Sequence, residues 1–109
     1  MISSVLAAAL LLLAPPDVAS LRRAFASCLA NHARSSAEKK ETPEQFDASL
    51  VTTCSSEQQA FRQAVVASDL ARGISRKTSE QGVADEIADY LSEAKERFRD
   101  ALAANSQTQ

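Results

Sequence analysis

Cys28 and Cys54, the chain's two cysteines, are its most reactive side chains by type. Two thiols can make a bridge, a redox dithiol or part of a metal site. A redox dithiol favours the C-x-x-C spacing, which this pair lacks. A structural metal site wants more ligands near by. In an exported chain, two cysteines read first as a disulfide. Closing a loop of about 25 residues is worth on the order of 3.5 kcal/mol in the chain-entropy model.

The remaining chemistry-bearing residues give weaker signals. His32 is the only histidine. As a general base it needs a nucleophile within hydrogen-bond reach, yet no serine here lies in a G-x-S-x-G context. Near the end of a helix it reads as a structural side chain beside the last carbonyls. Asp85, Asp89 and Glu93 recur at steps of four, with Glu86 and Glu96 adjoining. Calcium sites wrap a loop around the ion, so a straight helix holds these carboxylates too far apart. The strip reads as a solvated face that would dock a basic protein if it docks anything. No catalytic, cofactor-binding or metal-binding set emerges.

Composition narrows the class further. The net charge is -2, and the two signs are interspersed. With no basic patch to neutralise phosphates, nucleic acid is not an expected partner. Lys39 and Lys40 read as solvated loop charges. Glycine and proline are scarce (Gly73, Gly82, Pro15, Pro16, Pro43), which argues against the frequent turns of an all-β fold. One small domain built largely on alanine and leucine buries little apolar area per residue, so a covalent tie is expected.

The start of the chain reads as a secretory signal. Residues 5–14 form a continuous apolar run, and no charged side chain precedes Asp17. Ten residues fall short of the roughly 20 needed to cross a bilayer, but suit the apolar region of a signal. Pro15 and Pro16 follow, and Val18-Ala19-Ser20 offers small residues, placing the expected cleavage after Ser20. The segment Met1-Ile2-Ser3-Ser4 departs from the pattern in lacking lysine or arginine. Arg22-Arg23-Ala24-Phe25 does not fit a twin-arginine signal, because the apolar segment precedes the arginines instead of following them. Phe25-Ala26-Ser27-Cys28 does not directly abut the apolar run, as a lipoprotein box should.

Three amphipathic helices position these residues. Val18, Leu21, Phe25, Cys28, Leu29 and His32 share one face of the first, which is expected to fade near Arg34. Thr42-Pro43-Glu44-Gln45 is a capping box with proline at the first helical position, and opens the second. Its buried stripe is Phe46, Leu50, Cys54, Phe61, Val65 and Leu70, and Gly73 closes it. Thr78-Ser79-Glu80-Gln81 is read as a second capping box. The third stripe is Val83, Ile87, Tyr90, Leu91, Ala94, Phe98 and Leu102. Folding about residues 73–77 brings Phe61 near Tyr90 and Cys54 near Phe98.

The expected architecture is therefore all-α, an antiparallel three-helix bundle with one disulfide. Its alternative is a long helical hairpin that dimerises with the first helix strapped on. Residues 1–20 are the signal, 21–104 the helical domain and 105–109 a polar tail. The expected function is that of an exported, extracytoplasmic, non-catalytic protein that binds another protein. The rival is a membrane-surface protein held by an uncleaved N-terminal helix. An enzyme would need a convergent set of groups around His32.

Overall fold

Four helices account for almost all of residues 17–107, the part of the chain that the computed structural model describes. The apolar run at 5–14, the proline pair and the tail residues 108–109 lie outside it. Helix α1 spans Val18–Glu38, α2 Pro43–Thr53, α3 Ser55–Ala71 and α4 Arg76–Gln107. The fold is all-α, and the described residues contain no strand.

Local chemistry sets each boundary. Asp17 caps α1 by accepting from the Ser20 amide at 2.7 Å. That hydrogen bond, with one from the Ser20 side chain, holds the Asp17 carboxyl below the usual carboxylate range. Cleavage after Ser20 would remove this cap together with the half-buried Val18. At the start of α2 the expected box forms reciprocally: Thr42 Oγ1 accepts from Gln45 N at 3.1 Å, and Gln45 Oε1 accepts from Thr42 N at 2.8 Å.

Four boundaries differ from expectation. Helix α1 runs on to Glu38, because the small side chains Ala33, Ser36 and Ala37 are buried against the bundle. It ends with Lys40 at φ 56° and Glu41 N donating to Ser36 O, a Schellman turn with lysine where glycine is usual. The long second helix is interrupted at Cys54, whose φ of -110° and ψ of 25° leave the helical region. The weak helix formers from Val51 to Ser56 explain why the break falls there. Helix α4 begins at Arg76, and Ser75 rather than Thr78 supplies the cap-like contact, its Oγ accepting from Thr78 N at 3.2 Å. At the other end α4 stays helical to Gln107, which shortens the expected polar tail.

Three rods result, with α2 and α3 together forming the middle one. Helix α4 runs parallel to α1, pairing Arg22 with Glu86 and Phe25 with Tyr90. Helix α3 runs antiparallel to both, and Phe61 meets Phe25 and Tyr90 at ring separations of 6.0 and 6.4 Å. At the far end Phe46 of α2 stacks on Phe98 of α4 at 4.3 Å. Cys54 and Phe98 are both buried in the same core. Leu29, Leu50 and Ala94 belong to the same buried core, and Val66, Val83 and Ile87 extend it along α3 and α4.

Helix α3 closes with a second Schellman turn, in which Gly73 sits at φ 86° and Ile74 N donates to Asp69 O. These two turns make opposite predictions. Lys40→Gly relieves a left-handed non-glycine residue and should raise stability by about 0.5–1 kcal/mol, whereas Gly73→Ala should lower it by about 1 kcal/mol. Urea midpoints of the two variants check both signs.

Candidate functional site

The disulfide forms as the sequence suggests. Cys28, midway along α1, is bonded to Cys54 at the junction of α2 and α3, with Cα atoms 5.9 Å apart. Cys54 is 1% exposed and Cys28 is half-buried. Cys54 is also the N-cap residue of α3, and its side chain makes no capping hydrogen bond. One turn on, a Glu57 carboxylate oxygen lies within 4.8 Å of both sulfurs. Glu57 Oε2 is buried without a hydrogen-bond partner.

His32 does not sit beside the last carbonyls of α1, because α1 continues past it to Glu38. It faces α2 instead, its ring stacked on Phe46 at 5.2 Å and Nε2 lying 2.7 Å from Ser49 Oγ. A histidine this close to a serine invites a nucleophilic reading. Ser49 Oγ also lies 3.1 Å from Phe46 O, within reach to donate to it. The pair pins α1 to α2.

The acidic strip of α4 divides. Glu86 accepts from Arg22 Nε at 2.8 Å and from Nη2 at 3.4 Å, tying α4 to α1. The same guanidinium lies 5.2 Å from the Phe61 ring centroid, so one arginine holds three helices. Burial, with Glu86 nearby, pushes the Tyr90 hydroxyl above its ordinary value. Glu93 pairs with Arg97 at 3.0 Å and lines a cleft of about 60 Å³ between α1 and α4. Asp85 and Asp89 remain exposed on the outer face. Glu86 and Glu93 are thus paired within the chain, whereas Asp85 and Asp89 face outward.

Sequence reasoning missed the contact between the α3 and α4 ends. Asp69 accepts from Ser79 Oγ at 2.8 Å and from Arg72 Nη2 at 2.6 Å. Ser79 is 2% exposed, which is why it packs inside α4 instead of taking part in a cap. The Ser79 hydroxyl first, and Arg72 second, hold the Asp69 carboxyl below the usual range. Its folded pKa being lower than the unfolded one, Asp69 contributes stability above the unfolded value and loses it as pH falls through the folded value. The stability gap between wild type and Asp69→Asn should be full at neutral pH and shrink below about pH 4. Urea titrations across that range check it.

Beside this contact, Val66, Ala67 and Leu70 floor an open hollow of about 230 Å³, rimmed by Arg62, Gln63, Arg76 and Glu80. Leu70 was expected in the core stripe but is 39% exposed here, because Val66 takes the inward position. Arg76 and Glu80 are loosely paired across the rim at 3.9 Å. Compared with protein-family models, with curated proteins and with solved structures, the chain matches none.

Proposed function

We propose that this chain is an exported, extracytoplasmic helical protein, stapled by Cys28–Cys54, that acts by binding another protein rather than by catalysis. The disulfide carries the reading, since such bonds persist in oxidising compartments and are rare in reducing ones. The signal-like residues 1–20 agree with it. No described helix is long and apolar enough to cross a membrane.

For the binding surface, the geometry favours the hollow between α3 and α4 over the acidic strip. Glu86 and Glu93 already serve arginines of the same chain. The hollow offers an apolar floor and a charged rim, the arrangement of a small protein-docking surface. An apolar side chain of the partner would seat on Leu70, with Arg62, Arg76 and Glu80 making the polar contacts.

A photo-crosslinking residue placed at position 70, and separately at 85, tests this in exported protein. Position 70 should give a discrete cross-linked product that excess wild-type protein competes away and Leu70→Asp protein does not. Equal competition by Leu70→Asp, or a product from position 85 alone, would move the surface to the outer face of α4. Recovery of the exported chain with residues 1–20 still attached in the membrane fraction would support the anchored alternative.

A further inference from the structure

The oxidised bridge has beside it a carboxylate that it cannot satisfy. Glu57 Oε2 is buried with no donor, an expensive arrangement that calls for a physical reason. Its neighbours are two sulfurs that carry no proton while they are bonded to each other. One carboxylate oxygen and both Sγ atoms lie within 4.8 Å of one another. Zinc bonds to sulfur at about 2.3 Å and to oxygen at about 2.0–2.2 Å, which sets its ligands roughly 3.5–4 Å apart. Cα atoms 5.9 Å apart allow the sulfurs to separate that far by rotation about the Cα–Cβ bonds.

Cys54 joins α2 to α3 as the C-cap of one and the N-cap of the other, and its side chain makes no capping hydrogen bond, so its sulfur is not held to a backbone amide. Cys28 is half-buried rather than sealed in the core.

We propose that reducing Cys28–Cys54 creates a zinc site made of Cys28, Cys54 and Glu57, which disulfide formation closes. A dithiol reductant supplies two electrons and becomes a disulfide, while Cys28 and Cys54 each gain a proton. Zinc then displaces those two protons and binds both thiolates, the Glu57 carboxylate and one water. Two sulfurs among three protein ligands select a borderline ion such as zinc over magnesium or calcium.

Cobalt(II) added anaerobically to the full reduced chain reports the site. The expected result is a thiolate-to-cobalt charge-transfer band that saturates at one ion per chain, disappears on adding zinc, and is absent from the oxidised protein. Glu57→Gln should weaken cobalt binding by more than about tenfold, and Glu57→His should restore much of it. The oxidised-against-reduced comparison uses wild-type protein, so it stands even if a variant folds poorly. No charge-transfer band in the reduced wild type, whether or not its helices persist, would overturn the proposal. Equal affinity in a folded Glu57→Gln protein would overturn it as well.

Discussion

Replacing Cys28 and Cys54 together with alanine should lower the unfolding free energy by about 3.5 kcal/mol, the chain-entropy value for the loop they close. The two cysteines are 26 positions apart in sequence. In a domain of this size such a loss lowers the melting temperature by roughly 15–25 °C. The structure gives a reason to expect the full effect. The bridge joins the middle of α1 to Cys54, where the backbone leaves helical geometry and the flanking residues favour helix weakly. Without it, the α2–α3 junction is held to α1 only by packing and by the His32–Ser49 hydrogen bond. Thermal unfolding followed by circular dichroism, for the oxidised chain and for Cys28→Ala/Cys54→Ala, measures the difference. A loss below about 1 kcal/mol would mean that packing alone fixes the junction.

Phe25→Ala should be as damaging, at about 3–5 kcal/mol, through lost apolar burial and the cavity left behind. Phe25 is 0% exposed and touches the ring of Phe61 on α3 and the ring of Tyr90 on α4. It is the point at which α1, α3 and α4 meet, so no single helix can move to refill the space. Small domains hold only about 5–15 kcal/mol in total, so the variant should be close to unfolding even with its disulfide intact. Phe46→Ala also removes a buried stacked ring, but α2 lies at one end of the bundle and can shift inward over Phe98. A smaller loss for Phe46→Ala than for Phe25→Ala, read from urea midpoints, checks that ordering.

Much of this architecture was legible because the responsible signals are local or periodic. The Thr42 box appears as read, since every group in it lies within four residues. Cys28 opposite Cys54, and Phe61 near Tyr90, followed from helical spacing and short connections. What stayed hidden needs either register or knowledge of small buried side chains. Ser36 and Ser79 look like loop or cap residues by type, yet both are buried, and they extend α1 and α4 beyond their expected limits. The Arg22–Glu86 pair joins residues 64 positions apart, and no local pattern links them. The interruption at Cys54 was visible only as weak helix propensity in the residues around it. At the candidate sites, the sequence named the cysteines and the acidic strip but not Glu57, which carries meaning only once Cys54 is placed at the start of α3.

Intact mass spectrometry of the exported protein, alkylated with and without prior reduction, bears most directly on the central claim of an exported, bridged helical protein. The expected result is a chain lacking residues 1–20, with no added lipid, that takes up two alkyl groups only after reduction. Removal after Ser20 also discards the Asp17 cap, so the same measurement shows whether the mature α1 keeps that residue. A full-length mass in the exported fraction, or two alkyl groups taken up without reduction, would contradict the account.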